Sequence, residues 1–179
     1  MKIKAKMFAT MAHKNQLRKL SKKPYISHPI RVAKYLEVNG APEELICAGY
    51  LHDVVEDSTF TLDQVEHYFG KRVSHIVAAH TEDKTKSWKE RKTETIKQVK
   101  EGSKDIKWLI VADKLDNLKD IQEQSNELKT SIWDHFNAGK DDQAWYFTSI
   151  AQYMYDNLKE EDIPPFFHTY EQVVKDVFH

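Results

Sequence analysis

The chain has 179 residues, with 27 basic and 28 acidic side chains, so its net charge gives no reason to expect a nucleic-acid or membrane partner. Apolar residues make up 40% and charged residues 31%, a composition typical of an ordinary globular protein. This length favours one domain over residues 1–179. The single cysteine, Cys47, excludes an intrachain disulfide and is expected in the core. Without a membrane-length apolar run or a signal-peptide pattern, we expect a cytoplasmic protein.

Helical periodicity and the small number of glycines and prolines predict an all-α fold, a single-domain bundle of about eight to ten helices. Proline, Asn-Gly pairs and capping patterns give the expected boundaries. In the first half of the chain the expected helices are 5–20, one that opens at 30 and ends at Asn39–Gly40, one from Pro42 into His52–Asp53, and one that is capped by Ser58 or Thr61 and ends at Gly70. In the second half they are 88–100, 106–118, one that ends at Gly139, one along 145–158 that Pro164–Pro165 stop, and a short C-terminal helix.

The segment 106–118 contains an apolar run, 108–112, that alone would fit a strand. The following residues keep a helical period, which predicts a buried helix instead. Asp113 interrupts this apolar stripe. A buried carboxylate is rarely left unpaired, so either a bound metal or a Lys or Arg partner would explain it.

A short motif, LHDVVED, places His52 next to Asp53. Neighbouring residues on a helix project about 100° apart, so both side chains can hold one ion. Glu56 and Asp57 follow one turn later, and such close carboxylates raise each other's pKa values unless a cation relieves them. Imidazole and carboxylate ligands suit Mn²⁺, Fe²⁺, Ni²⁺ or Zn²⁺, while the lack of thiolates argues against a structural zinc site.

His28 precedes Pro29, which predicts an extended backbone at a helix start. It can therefore complete a metal site, although a hydrogen bond to backbone is the simpler interpretation of this histidine alone. Glu56 and Asp57 can likewise be solvated turn carboxylates. The joint occurrence of these groups favours one shared site.

Six stretches of the sequence together resemble the HD superfamily, most closely the hydrolase domain of RelA/SpoT-homologue proteins and the small alarmone hydrolases, including the metazoan SpoT homologues. They are AHKNQLRK, PYISHP, LHDVVEDSTFT, FGKRV, TEDK and ADKLDNL. The resemblance implies Mn²⁺, or another divalent transition metal, held by His28, His52, Asp53 and Asp113. It also implies a metal-dependent phosphohydrolase.

The same resemblance assigns Glu56 and Asp57 to positioning and activating the attacking water. The implied reaction removes the 3′-pyrophosphate of guanosine tetra- or pentaphosphate and leaves GDP or GTP plus pyrophosphate. Four positions match residues that contact the nucleotide: Arg18 on the base, Lys19 beside it, Asn117 near the ribose and phosphate, and Tyr146. A planar guanidinium can stack on a purine and still contact phosphate.

Two other functions remain open at this point. The same HD site can act on another nucleotide, such as an adenosine alarmone, NADPH or a nucleoside phosphate, or the fold can sense nucleotides without turnover. A helical protein that only binds partners is a third possibility. His80 is interpreted as a helix-end residue and His13 as a packing residue, and the 119–179 region receives no role. We expect a small-molecule nucleotide partner and a monomer or homodimer.

Overall fold

A computed structural model describes residues 1–127 and 131–179, and these ranges are helical with no β-strand among them. The all-α prediction is therefore confirmed. Within the described ranges, no helix is long and apolar enough to cross a membrane. The α-helices are α1 (Lys2–Ala12), α2 (Ser27–Val38), α3 (Glu43–Leu51), α4 (Val54–Asp57), α5 (Leu62–Phe69), α6 (Lys71–His80), α7 (Trp88–Glu101), α8 (Lys104–Glu127), α9 (Lys140–Tyr153) and α10 (Pro165–Phe178).

Helix α8 is the central element, and α2, α3, α6, α7 and α10 all pack against it. Its apolar run from Trp108 to Ala112 is buried, which agrees with a buried helix and not with a strand. The helix is longer than 106–118, because it begins at Lys104 and continues to Glu127. Because of this length, α8 extends from the core of the bundle to its surface and has polar side chains along the way.

Helices α2 and α3 approach closely at Gly49. A Cβ at this position would lie 2.9 Å from Leu36 Cδ1 and 3.1 Å from Ala33 Cα, so only a hydrogen fits between the two helices. His28 lies in the first turn of α2, and His52 directly follows α3. The close approach therefore supports the meeting of these two histidines.

Two expected helices end earlier than their periodicity indicates. Helix α1 stops at Ala12 and not at 20, because Asn15 adopts a left-handed conformation with φ 66° and Leu17 then forms an isolated bridge with Pro24. The helix from Pro42 ends at Leu51, and His52–Asp53 form the junction with α4. His52 and Asp53 thus lie at a helix–helix junction and Glu56 and Asp57 lie on α4, so the four motif residues do not share one continuous helix.

The prediction that Gly139 closes a helix is wrong. Gly139 is the N-cap of α9, and the segment before it is a short 3₁₀ helix, Ile132–His135. The prediction that Pro164–Pro165 stop the helix along 145–158 is also wrong, because α9 already ends at Tyr153 and a 3₁₀ helix, Glu160–Asp162, follows it. Pro165 instead begins α10, as a proline in a first helical turn allows. In contrast, the Thr61–Gln64 capping box, the helix end at Gly70 and the buried Cys47 are confirmed.

Gly49→Ala should lower the free energy of unfolding of the metal-free protein by about 1–3 kcal/mol, because the added methyl overpacks the α2–α3 contact. The same change inside an uncrowded helix normally raises stability by about 1 kcal/mol. Urea denaturation in the presence of a chelator measures the sign. A stabilised variant would contradict the close packing described here.

Candidate active site

Four buried side chains from three parts of the chain converge on one point. His28 Nε2 lies 3.2 Å from His52 Nε2 and 3.1 Å from Asp113 Oδ1. Asp53 Oδ2 lies 3.0 Å from His52 Nε2 and 3.6 Å from His28 Nε2. These are the four residues that the sequence predicts as metal ligands. His28, His52 and Asp113 each place one ligand atom within 4.8 Å of the other two, and Asp53 adjoins this group. Two imidazole nitrogens and two carboxylate oxygens at such spacing can share one divalent cation.

Hydrogen bonds on the far side of both imidazole rings determine where their protons lie. His52 Nδ1 is 2.8 Å from the carbonyl oxygen of Gly49, and His28 Nδ1 is 2.6 Å from Asp116 Oδ2. Because both partners are acceptors, each Nδ1 carries a hydrogen, so the Nε2 lone pair of either ring in its neutral form faces inward. Two facing lone pairs beside two carboxylates repel one another unless a cation lies between them. The simpler interpretation of His28, bonded to backbone through its ring, does not hold.

The electrostatics of the site point the same way. Burial lowers the pKa of His52, but Asp53 and Asp113 outweigh it and raise this pKa well above its usual value. Burial raises the pKa of Asp113, but Lys114 and the surrounding histidines lower it well below its usual value. His52 therefore lies within the field of two carboxylates, and Asp113 stays ionised, an arrangement that suits a bound cation.

Asp113 has a lysine partner on one oxygen, which is one of the two explanations expected for it, and the other oxygen faces the predicted metal position. Oδ1 faces His28 and His52, whereas Oδ2 lies 2.6 Å from Lys114 Nζ and 2.8 Å from His80 Nε2. His80 is the last residue of α6, as predicted, but its contact with Asp113 was not. No sequence pattern around His80 indicates this contact. These partners fix the carboxylate, while Oδ1 faces the two histidines and accepts a hydrogen bond from Asn117 Nδ2 at 2.9 Å.

The sequence interpretation also missed two residues that orient the predicted ligands. Asp116 holds His28 Nδ1 and is itself bonded by Arg31 Nε at 2.6 Å. Tyr25 donates its hydroxyl hydrogen to Asp53 Oδ2 at 2.7 Å. Asp116 could have been predicted from the sequence, because it lies three residues after Asp113 on the same face of α8. Hydrogen-bonded partners of this kind hold a metal ligand in place and tune its basicity.

Glu56 and Asp57 lie on α4 and line the same small cavity as the converging ligands. Glu56 Oε2 accepts the backbone N–H of Glu82 at 3.1 Å, and Asp57 Oδ1 lies 2.7 Å from Lys84 Nζ. Burial, together with the charge of Asp53, raises the pKa of Glu56. We call this space of about 190 Å³ the acidic cavity; it is lined by Tyr25, His28, Asp53, Glu56, Asp57, His80, Glu82, Arg91, Lys92, Thr95, Asp113, Lys114 and Asn117.

A second space of about 270 Å³, the aromatic cavity, adjoins the acidic cavity. All four predicted nucleotide-contacting residues line it. The complete lining is Arg18, Lys19, Leu20, Tyr25, Trp88, Lys92, Lys114, Asn117, Asp120, Ile121, Phe136, Gln143, Tyr146 and Phe147. Five of the lining residues are aromatic and four are basic. Phe136, which had no predicted role, lies under the Lys19 ammonium, 5.5 Å from Nζ to the ring centroid.

Arg18 is held in place and is not a solvated surface residue. It is buried, and its Nη2 donates to Asn117 Oδ1 at 2.9 Å and to Asp120 Oδ2 at 3.3 Å. Asn117 in turn donates from Nδ2 to Asp113 Oδ1 at 2.9 Å. One chain of hydrogen bonds therefore links the aromatic cavity to the converging ligands.

The family model of the HD domain matches residues 5–142. The chain belongs to the HD-domain family. Guanosine-3′,5′-bis(diphosphate) 3′-pyrophosphohydrolase MESH1 of Mus musculus is 40% identical over 122 residues, which cover 66% of this chain and 68% of that protein. The Homo sapiens protein of the same name has the same identity and coverage. The resemblance drawn from the sequence motifs is confirmed.

Solved structures of similar proteins give the same HD-domain fold. The crystal structure of lmo0812 from Listeria monocytogenes EGD-e has a TM-score of 0.82 and 46% identity, covering 87% of this chain and 98% of that one. The structure of a metazoan ortholog of SpoT that hydrolyses ppGpp has a TM-score of 0.80 and 26% identity, covering 98% of this chain and 94% of that one.

Asp116→Asn should weaken divalent-metal binding by about 10- to 100-fold, because the amide no longer holds the His28 ring as strongly as the carboxylate does. Calorimetric titration of the metal-free protein with Mn²⁺ measures the change. Asp105→Asn is the matched control on the same helix, since Asp105 bonds Arg72 far from the converging ligands. Equal affinities for all three proteins would show that Asp116 does not support the site.

The ionised Glu82 side chain should stabilise the folded protein at neutral pH, and acid should remove this stabilisation. Burial raises its pKa, but Lys114, Lys92 and Arg91 outweigh burial and lower it. A depressed folded-state pKa means that the contribution is present above the unfolded value of about 4.3 and is lost as the pH falls through the folded value. Glu82→Gln should therefore destabilise the protein at pH 7 and less so at pH 3.

The free energy of unfolding, measured by urea denaturation across this pH range, tests the prediction for Glu82. Glu101→Gln serves as the control, because Glu101 is exposed on α7 and pairs with the likewise exposed Lys97 at 3.9 Å. A difference between wild type and Glu82→Gln that stays constant from pH 7 to pH 3 would contradict the depressed pKa.

Proposed function

We propose that residues 1–179 form one HD domain that removes the 3′-pyrophosphate of guanosine tetra- or pentaphosphate and leaves GDP or GTP plus pyrophosphate. The observation that carries this proposal is the junction of the two cavities. The acidic cavity can take a phosphoryl group, and the adjoining aromatic cavity can take a nucleoside. The relatives at 40% identity carry the name of this activity.

We propose Mn²⁺ as the metal, held by His28, His52, Asp53 and Asp113. The mixed nitrogen and oxygen donor set and the inward lone pairs fit such an ion. When bound, a divalent metal lowers the pKa of bound water and polarises a phosphoryl oxygen. His28 and His52 supply neutral nitrogens because their Nδ1 hydrogens are already committed to Asp116 and Gly49.

Glu56 and Asp57 orient the attacking water and accept its proton. The pKa of Glu56 is raised towards neutral pH, which makes this carboxylate a better base than a solvated glutamate. Asp57 keeps a fixed orientation through Lys84. The two carboxylates stand on α4, one turn beyond His52 and Asp53, so the water they hold lies beside the converging ligands.

The aromatic cavity binds the nucleoside through Arg18, Lys19, Asn117 and Tyr146. The Arg18 guanidinium is already positioned by Asn117 and Asp120, so its plane is available for stacking on a purine. Lys19 supplies positive charge to a highly anionic substrate. Because the overall charge of the chain is balanced, we propose a small nucleotide as the partner in place of nucleic acid. We also propose a cytoplasmic location.

Product analysis in Mn²⁺ with guanosine tetraphosphate, its adenosine counterpart and NADPH tests the proposal. We expect GDP and pyrophosphate from the first, and loss of turnover by at least about 10³-fold in Asp53→Ala or after chelation. Glu66→Ala, an exposed change on α5, should keep wild-type turnover. Turnover of only NADPH or only the adenosine compound would overturn the proposed substrate.

Glu56→Ala separates an enzyme from a nucleotide sensor. Turnover should fall by about 10²–10⁴-fold, because the water loses one of its bases. Nucleotide affinity, measured by calorimetry, should remain within about threefold of wild type because Glu56 does not line the aromatic cavity. Unchanged turnover would remove Glu56 from the mechanism.

A further inference from the structure

In the proposed reaction the bond that breaks joins the ribose 3′-oxygen (O3′) to the first phosphorus of the 3′-pyrophosphate. This P–O3′ bond must cross the boundary between the two cavities. Its phosphorus belongs to the group in the acidic cavity, and its oxygen belongs to the nucleoside in the aromatic cavity. Four of the described side chains line both spaces: Tyr25, Lys92, Lys114 and Asn117. The departing oxygen therefore meets some of these four groups.

A leaving ribose 3′-oxygen is strongly basic and needs a proton as the bond to phosphorus breaks. Tyr25 already donates its hydroxyl hydrogen to Asp53, and burial raises its pKa far above the usual range. Asn117 has no acidic proton and donates to Asp113. Lys114 lies against Asp113, which raises the pKa of its ammonium group well above the usual value despite burial.

Lys92 differs from the other three residues at the boundary. It comes from α7, the only one of the four on that helix, and its side chain is only 15% exposed. Its Nζ bonds Glu82 Oε1 at 2.6 Å and lies 5.1 Å from the centroid of the Tyr146 ring. The Nζ therefore stands between the acidic cavity and an aromatic wall of the proposed nucleoside site.

The surroundings of Lys92 make its proton easier to give than that of an ordinary lysine. Burial lowers the pKa of Lys92, and the charges of Lys114 from α8 and Arg91 from its own helix lower it further. Glu82, from the segment after α6, opposes this effect without overcoming it. A donor whose pKa approaches the working pH transfers its proton more readily in the transition state.

We infer that Lys92 is a catalytic residue that protonates the leaving 3′-oxygen, an inference that rests on the proposed function. The water oxygen bonds to the phosphorus as the P–O3′ bond breaks. The bonding electron pair stays on O3′ and takes a proton from Lys92 Nζ. The proton of the attacking water passes to Glu56 or Asp57, and exchange with solvent restores both groups.

Replacing the 3′-bridging oxygen of guanosine tetraphosphate by sulfur gives the decisive probe, because a thiolate leaves without a proton far more readily than an alkoxide does. Lys92→Met should lower kcat for the oxygen substrate by about 10²–10⁴-fold and for the sulfur analogue by less than about tenfold. Lys92→Arg keeps the charge but holds its proton too tightly, so kcat for the oxygen substrate should stay within about tenfold of the Met variant.

Lys97→Met, on an exposed position of the same helix, should retain wild-type kcat for both substrates. Equal losses with both substrates, or recovery of kcat in Lys92→Arg, would overturn the role of Lys92 and leave a charge that only binds phosphate. Circular dichroism and Mn²⁺ binding show whether Lys92→Met folds. If it does not fold, the kcat values of Lys92→Arg for the oxygen and sulfur substrates test the role of Lys92 instead. Absence of turnover in the wild type would overturn the proposed function and this role together.

Discussion

The mutual repulsion of His28, His52, Asp53 and Asp113 is the constraint on which the rest of the site depends. Two inward lone pairs and two carboxylates lie within 3.0–3.7 Å of one another along the measured pairs and are buried. Such an arrangement is stable only with a cation or with protons in its centre. The α2–α3 contact at Gly49, the bond of Asp116 to His28 and the bond of Gly49 to His52 all act to keep these side chains together.

Hydrogen-bond donors surround this negative centre without entering it. Lys114 and His80 hold the outer oxygen of Asp113, Arg31 holds Asp116, and Lys84 holds Asp57. Each of these contacts fixes a carboxylate that would otherwise be free to rotate. The result is a preorganised site, in which little reorganisation is needed when a highly charged substrate arrives.

The sequence was sufficient to predict the four converging side chains and insufficient to predict the groups behind them. His52 and Asp53 were found because they are adjacent, and Asp113 because a carboxylate interrupts an apolar stripe. Contacts such as those of His80 and Lys92 join segments distant in sequence, and no local pattern records such a meeting. Asp116 was missed although its spacing from Asp113 on one helix face was visible.

The errors in the predicted helices have a common physical origin. Periodicity continued through 13–20 and through His52, yet the chain turns at both places. Asn15 enters a left-handed conformation, and the His52–Asp53 junction directs both side chains inward. At Gly139 a glycine that fits either end of a helix was assigned to the wrong end. Helical propensity alone does not distinguish these cases, because tertiary contacts decide them.

The boundary between the acidic and aromatic cavities also has an evolutionary consequence. The predicted metal ligands and the two water-activating carboxylates come from α2, the α3–α4 segment and α8, and Lys92 comes from α7, whereas much of the aromatic wall comes from Phe136 and from α9. Substitutions in that wall can therefore accumulate without disturbing the reacting groups. A duplicated copy of such a gene could acquire a new base preference by changing a few side chains after residue 135, while inheriting its chemistry intact.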